Sequence, residues 1–227
     1  MRKVSVVIPA WNEAAGISRT LAAVPRRELA ESGWDVEVVV VDNGSTDETV
    51  QLARAAGACV VREPRRGYGR AIKAGYAYAT GEVIVTADAD GSYPLGILPL
   101  LLEYMDFHRL DFLTTDRLAL LRDGAMSKRN QFGNEILSGV LRLLFRVPLR
   151  DSQSGMWLLR RHLLPRLKLR ANTPLSQEVK IEACCYAGCR WAEIPVHYCP
   201  RVGRAKLGGW KVGFLNLLHL FKKRLWR

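Results

Sequence analysis

No uninterrupted apolar run in this 227-residue chain approaches the roughly 20 residues a helix needs to cross a bilayer. Basic residues punctuate every candidate, including the stretch from Ile136 to Leu149, so the chain is not expected to span a membrane by itself. The opening Met1-Arg2-Lys3-Val4-Ser5-Val6-Val7-Ile8-Pro9 is basic and then apolar, but Pro9 and the polar Trp11-Asn12-Glu13 stop it too early for a signal peptide. It reads instead as a buried first strand. Histidine is scarce and scattered, at His108, His162, His197 and His219, without metal-ligand spacing. The five cysteines, Cys59, Cys184, Cys185, Cys189 and Cys199, are odd in number and lack the paired spacings of a zinc site or a secreted disulfide framework. They read as reduced thiols, which points to cytosolic exposure, and no nucleophile-activating motif surrounds them. Internal repeats, low-complexity tracts and Pro/Gly-rich linkers are also missing.

What is present suits one ordinary domain, or a domain with an appended segment, long enough to bury a real core. Hydrophobic residues make up 48% of the chain, which excludes a disordered chain. The net charge of +12 is unevenly placed: residues 1–116 hold 12 Lys and Arg against 16 Asp and Glu, and residues 117–227 hold 22 against 6. A basic second half points to an anionic partner such as phosphate, nucleic acid or an acidic lipid surface, and is also what solvated helix faces look like.

Along the first half, strand and helix patterns alternate as in an α/β sheet covered on both faces. Val4 to Ile8 is a β-branched run, and Ala14 to Val24 has apolar residues at helical spacing. Val36 to Val41 is a second run, ending in Asp42. Ser45-Thr46-Asp47-Glu48 has the form of a capping box opening a helix, and Gly57 suits that helix's end. Cys59 to Val61 predicts a strand, Gly69 to Thr80 a helix, and Val83 to Thr86 a strand running into Asp88. Further on, Phe132 to Phe145 reads as a helix, Gln153 to Leu159 as a strand or turn, Glu178 to Ala187 as a helix and Trp191 to Tyr198 as a strand.

Asp88-Ala89-Asp90-Gly91-Ser92 puts two carboxylates one residue apart at a strand end, where they can converge on one hard cation, Mg²⁺ or Mn²⁺. The same pattern also describes two surface aspartates in a turn. Polar clusters follow strands one, two and four, the edge at which open α/β sheets bind ligands. Pro9-Ala10-Trp11-Asn12-Glu13, Asp42-Asn43-Gly44-Ser45-Thr46-Asp47 and the Asp88/Asp90 pair together resemble the family 2 glycosyltransferases, which have the nucleotide-diphosphosugar-binding GT-A fold, over roughly the first 95 residues. The resemblance implies a mostly parallel, Rossmann-like sheet flanked by helices, with Pro9, Asn12, Glu13 and Asp42 lining a nucleoside pocket. It implies that Asp88 and Asp90 hold the metal and the diphosphate of a nucleotide-sugar donor. Gly67-Tyr68-Gly69-Arg70-Ala71 falls short of a dinucleotide fingerprint, because Ile72 stands where the third glycine belongs. In the transferase reading Gly67 and Gly69 let the backbone pass close to the donor, and a structural turn fits equally.

In the second half, Asp151-Ser152-Gln153-Ser154-Gly155-Met156 and Tyr198-Cys199-Pro200-Arg201-Val202-Gly203-Arg204-Ala205-Lys206-Leu207 look like stretches of polyprenyl-phosphate hexosyltransferases, the group that includes dolichyl-phosphate mannose and glucose synthases. By that resemblance Arg117, Arg129, Arg201 and Lys206 surround the lipid phosphate, and Asp90, Arg117, Arg129 and Arg201 carry catalysis. The implied reaction is inverting transfer from GDP-mannose or a UDP-hexose to a dolichyl or undecaprenyl phosphate at the cytosolic membrane face. Two positions depart from the group: Ala205 stands where serine is usual, and Ser92 where mannose synthases often carry glutamine. The chemistry agrees with a phosphate acceptor. A hydroxyl acceptor needs a base, for which Glu178 is the candidate, although a carboxylate near a helix start is also ordinary. A phosphate monoester is already ionised and needs cations to bring it to the donor.

The last 27 residues hold eight Lys or Arg and no Asp or Glu. Trp210, Phe214, Leu217, Leu218, Phe221 and Leu225 follow helical spacing with Lys211, Lys222, Lys223 and Arg224 around them, as in a helix lying at a bilayer interface; a terminal helix packed on the domain has the same pattern. The expected layout is a GT-A domain over 1–200, divided into a nucleotide-sugar half (1–95) and an acceptor half (96–200), then a basic amphipathic extension over 201–227. The expected partners are the donor, the polyprenyl phosphate and a membrane surface, with room for a separate membrane subunit. No module with aromatic platforms points to nucleic acid.

Overall fold

The computed structural model describes residues 1–203, 206 and 210–225, in the last stretch without the side chains of Trp210 and Lys211. Arg204, Ala205 and Leu207 of the second motif lie outside the described residues, as do the side-chain roles expected of Trp210 and Lys211. Strands β1 (Arg2–Ala10), β2 (Trp34–Asp42), β3 (Cys59–Arg62), β4 (Val83–Thr86), β5 (Phe112–Leu121), β6 (Trp157–Arg160) and β7 (Trp191–Tyr198) form a sheet in the order β3-β2-β1-β4-β6-β5-β7. Pairing is parallel from β3 to β4 and between β5 and β7, while β6 runs antiparallel to both its neighbours. The α/β fold with a mostly parallel sheet is as expected.

The β-branched runs explain the centre of the sheet. Side chains alternate across a strand, so Val4, Val6 and Ile8 of β1, with Val38 and Val40 of β2, enter one core while Val7, Val39 and Val41 enter the other. Helices α1 (Ala14–Ala22), α2 (Arg26–Glu31) and α5 (Leu98–Phe107) supply Ile17, Leu21, Leu29, Leu98 and Leu102 to the first face. The second face is covered by α4 (Tyr68–Tyr78) and α7 (Leu175–Ile181), through Ala71, Ile72, Leu175 and Val179. Helix α4 comes so close that a Cβ on Gly75 would lie 2.3 Å from Val7 Cγ1; only glycine fits there.

Two elements differ from expectation in their ends. Helix α3 (Thr49–Ala55) starts later than a box at Ser45 requires. Ser45 Oγ instead accepts from the Asn12 amide at 3.0 Å, and Asp47 accepts from the amides of Ala14 and Thr49, both at 3.1 Å. The cap residues therefore fasten the β1 loop to the β2 loop. The helix expected from Glu178 to Ala187 is α7 followed by a π turn over Glu182–Tyr186. Neither α2, α5 nor β5 was legible in the apolar pattern.

Helix α6 (Lys128–Phe145), capped by Ser127, packs against α8 (Trp210–Leu225), and Leu137 and Leu141 of α6, Ile181 of α7 and Leu220 of α8 meet in a third core. Lys223 belongs to the segment read either as a bilayer-surface helix, with its cations on lipid phosphates, or as a helix packed on the domain. The lysine is buried, with Nζ 2.9 Å from Glu178 Oε1 and 2.8 Å from Glu182 Oε1, because it shares the inward face with Asn216 and Leu220. Glu178 is thereby engaged in an ion pair and also accepts from the Ala171 amide. Among the described residues no helix is long and apolar enough to cross a membrane.

Candidate active site

The carboxyl ends of β1, β2, β4 and β5 and the loop preceding β6 meet at one edge of the sheet, around a cavity of about 1130 Å³. It brings together Pro9, Glu13, Gly67, Asp88, Asp90, Arg117, Arg129, Arg201 and Lys206, all of them singled out in the sequence. Asn12 and Asp42 sit behind its wall. Asn12, held at φ 52°, accepts from the Thr46 amide at 2.7 Å, and Asp42 accepts from the Ser45 amide at 2.8 Å. Both shape the loops that frame the cavity.

Asp88 and Asp90 follow β4. Asp90 is buried; its Oδ1 accepts from the Ser92 amide at 3.0 Å, while Oδ2 faces Arg201 Nη2 at 2.9 Å. The Arg201 segment is tied over this turn by Val202 N to Asp90 O and by Cys199 N to Ser92 O. Lys206 pairs with Glu13 at 2.6 Å and also donates to the carbonyls of Trp11 and Asn12. Thus Arg201 and Lys206, expected around a lipid phosphate, rest here on carboxylates of the first half. Burial raises the Glu13 carboxyl against the pull of Lys206.

Asp88 receives a hydrogen bond from the Tyr68 hydroxyl at 3.3 Å. Burial first, and then the charge of Asp90, push its carboxyl up to about 7. A Cβ on Gly155 would meet its oxygens at 2.8 and 2.9 Å, so a glycine is needed for the loop before β6 to lie against it. The pair fits a hard divalent cation. It offers oxygen donors only: one carboxylate already draws a guanidinium, and burial together with the neighbouring charge raises the other. Among the described residues no group of three or more His, Cys, Asp or Glu could hold a metal, so a cation here would complete its shell with ligand oxygens and water, the usual habit of Mg²⁺.

Arg117 is held differently. Its Nε and Nη2 donate to Asp151 at 2.7 and 3.0 Å, its amide donates to the same carboxylate at 3.1 Å, and the guanidinium lies over the Tyr198 ring at 5.2 Å. Burial opposes the Asp151 charge, but Arg117 outweighs it and holds the carboxyl down to about 2. A bidentate pair of this kind fixes the guanidinium plane. Tyr68, Gly155 and the Asp151 clamp went unassigned in the sequence; each does its work only through a contact with a distant residue.

The cavity changes character along its length. Past Arg117 it runs between α6 and α8, where Phe132, Ile136, Phe214 and Leu217 line it. One wall system therefore joins a carboxylate pair, a set of cations and an apolar groove.

Comparison with known proteins bears on this arrangement. The model of "Glycosyl transferase family 2" matches residues 5–167. A dolichyl-phosphate hexose transferase of Haloferax volcanii is 33% identical over 213 residues, covering 92% of this chain and 90% of the relative. An undecaprenyl-phosphate 4-deoxy-4-formamido-L-arabinose transferase of Klebsiella pneumoniae is 36% identical over 113 residues, covering 47% of this chain and 34% of its own. Among solved structures, glucosyl-3-phosphoglycerate synthase of Mycobacterium tuberculosis, seen with Mn²⁺, UDP-glucose and phosphoglyceric acid, superimposes with a TM-score of 0.74 at 23% identity, covering 98% of this chain and 79% of that one.

Proposed function

The chain belongs to glycosyl transferase family 2 and is a hexosyltransferase, and we propose that it moves a hexose from a nucleotide-diphosphosugar, GDP-mannose or a UDP-hexose, to a polyprenyl phosphate. The observation that carries this reading is the continuity of the cavity: carboxylates for a metal and diphosphate, the clamped Arg117 beside them, then an apolar groove between α6 and α8. A small polar acceptor has no use for that groove. An acceptor hydroxyl would need a base, and Glu178, the candidate for one, is buried against Lys223 and does not line the cavity.

In this scheme Pro9, Glu13 and Gly67 bound the donor end, and Arg117 and Arg129 face the acceptor phosphate. Asp88 and Asp90 would hold a divalent cation, Mg²⁺ or Mn²⁺, which when bound offsets the charge of the diphosphate in the donor and as it departs. An oxygen of the already ionised acceptor phosphate attacks the anomeric carbon from the side opposite the diphosphate. The carbon–oxygen bond to the phosphate forms, the bond to the nucleoside diphosphate breaks, and the sugar configuration inverts. No protein nucleophile or base is required, so the protein's part is to bring two anions together. Arg201 and Lys206 are the remaining cations within reach once donor and metal take over their carboxylates.

The test is a donor panel incubated with the purified chain, polyprenyl phosphate and Mg²⁺ or Mn²⁺, followed by mass analysis of the extracted lipid. A hexosyl polyprenyl phosphate that disappears with chelator is expected. Hexose appearing only on saccharide or small hydroxyl acceptors would sink the proposal.

Proton uptake by Asp88 gives a pH dependence. Its folded value of about 7 lies above the ordinary 3.8, so the free protein carries a proton there at lower pH, and the cation must displace it. Affinity for Mn²⁺ with nucleoside diphosphate should level off above neutrality and fall, by roughly tenfold per unit once well below that value. Calorimetry in buffers of different ionisation heat should register proton release on binding at pH 6 and little at pH 8. Equal affinity and no proton release at both would place the cation elsewhere.

The outer surface supports a peripheral membrane position. Leu218, Phe221 and Leu225 form an exposed stripe on α8, and Phe132, Ile136 and Leu143 another on α6, with exposed Lys222, Arg224, Lys128 and Arg142 beside them. Apolar residues flanked by cations suit an anionic bilayer surface. Leu218→Glu together with Phe221→Glu is expected to abolish flotation with anionic vesicles, while transfer to a short, soluble prenyl phosphate stays within about twofold because neither side chain lines the cavity. Undiminished flotation would remove the α8 stripe from the account.

A further inference from the structure

Lys180, on α7, has no exposed surface, and nothing in the scheme above uses its ammonium group. Nζ donates to the main-chain carbonyls of Asp151 at 2.7 Å and Ser154 at 3.0 Å. Those carbonyls flank the turn at 152–153 in the loop that precedes β6. The loop is tied from every side: Asp151 N to Glu193 of β7 at 2.9 Å, Ser152 N to Ser138 of α6 at 2.9 Å, Asn216 Nδ2 of α8 to Gln153 Oε1 at 3.0 Å, and Gly155 N to the Tyr93 hydroxyl at 2.6 Å. Lys180 is the strut beneath it. A methionine would fill much the same space without the cost of burying a charge, so space-filling does not account for an ammonium there. What an ammonium adds is geometry: N–H groups that converge on two carbonyls and set their separation.

That separation reaches the chemistry through Arg117. The Asp151 carboxylate aims its guanidinium, while Gly155, next after Ser154, marks where the loop rests against Asp88, which follows β4. We infer that Lys180 is a positioning residue for the acceptor phosphate: by pinning both ends of the 151–154 loop it fixes Arg117 relative to the carboxylate pair. The inference rests on the phosphate-acceptor reading given above.

The surroundings of the ammonium agree with it. Burial lowers the Lys180 ammonium to about 8 from 10.5, against the raising influence of Asp151; the other groups around it are Arg117 of β5, Glu193 of β7 and Cys184 of the π turn. Between those two values the unfolded chain holds more protons at this site than the folded one, so Lys180's own contribution to stability rises with pH. Acceptor positioning should run the opposite way and weaken as the ammonium is lost. A merely structural lysine predicts no such opposition.

The experiment compares wild type, Lys180→Met and Lys180→Arg for acceptor KM, kcat, donor affinity by calorimetry, and melting temperature, at pH 7 and pH 9. At pH 7, Lys180→Met should raise the acceptor KM by about tenfold or more, as a small misplacement of a charge-positioning group does, with donor affinity within about twofold. The wild-type acceptor KM should climb between pH 7 and 9, that of Lys180→Met should stay level, and Lys180→Arg should recover most of the loss. An unchanged acceptor KM in Lys180→Met, or donor affinity weakening in step with it, overturns the inference. Should Lys180→Met fail to fold, the wild type decides alone: acceptor KM rising with pH while donor affinity holds supports positioning, and both flat or both changing overturns it. If wild type transfers nothing to polyprenyl phosphate, the function proposed above has failed and takes this inference with it. Lipid transfer indifferent to Lys180→Met would overturn this inference alone.

Discussion

Asp90→Asn is expected to abolish hexose transfer while leaving a folded protein. The asparagine side-chain carbonyl can still accept from the Ser92 amide, as Asp90 Oδ1 does at 3.0 Å, so the turn after β4 keeps its internal bond. What is lost is the charge on the oxygen that faces Arg201 at 2.9 Å and that would face a divalent cation in its place. Metal stabilisation of a departing diphosphate is worth several kcal/mol, so turnover should fall by about three orders of magnitude or more with every donor. Initial rates with Mn²⁺, beside a melting curve, check both halves of the expectation. Normal metal-dependent rates would falsify the assignment of Asp90. Failure to fold would shift the weight to Asp88→Asn, whose carboxylate lacks the Ser92 contacts and whose loss should leave the turn intact.

The sheet edge that carries Asp88 and Asp90 was legible because its signals are local. Each of β1, β2 and β4 is a β-branched run cut off by polar residues, which identifies both a strand buried on two faces and the sheet edge where it ends. The Asp88/Asp90 pair therefore came into view with its place in the fold. The surroundings of Arg117 were hidden for the opposite reason. Thr114, Thr115, Asp116 and Arg117 read as a polar stretch, yet all four are buried in β5. Thr115 is satisfied by Ser154 and Met156, and Arg117 by Asp151, more than 30 residues downstream. No periodicity reports a strand whose polar groups are answered by another loop. The place of Lys223 was open on the same account: a lysine among cations of an amphipathic helix looks solvated until Glu178 and Glu182 are seen beneath it. Ser45 had two possible uses, capping its own helix or bridging to Asn12, and only the tertiary structure distinguishes them. Family resemblance supplied Arg117 and Arg129 as cations. The clamp that orients Arg117 is visible only in the fold.

That clamp yields the last prediction. Arg117→Met should lose both stability and activity, and the two losses can be separated. Removing the guanidinium leaves the Asp151 carboxylate fully buried, with the amides of residue 117 and Gln153 as its remaining donors. Breaking a buried pair from one side costs about 3–5 kcal/mol. In the wild type Asp151 has a folded value of about 2, below the ordinary 3.8, so its contribution to stability is present above 3.8 and is lost as pH falls through 2. In Arg117→Met the main support for that depressed value is gone, so the melting temperature of the variant should depend less on pH in this range than that of the wild type. Arg117→Met combined with Asp151→Leu removes both charges and fills the space with apolar atoms, an exchange that is often neutral or stabilising for buried pairs. The double variant should recover most of the melting temperature and none of the transfer, because the clamped guanidinium beside the carboxylate pair is then gone. Recovery of transfer along with stability would show Arg117 to be a structural residue and would leave Arg129, Arg201 and Lys206 as the cations that meet the acceptor.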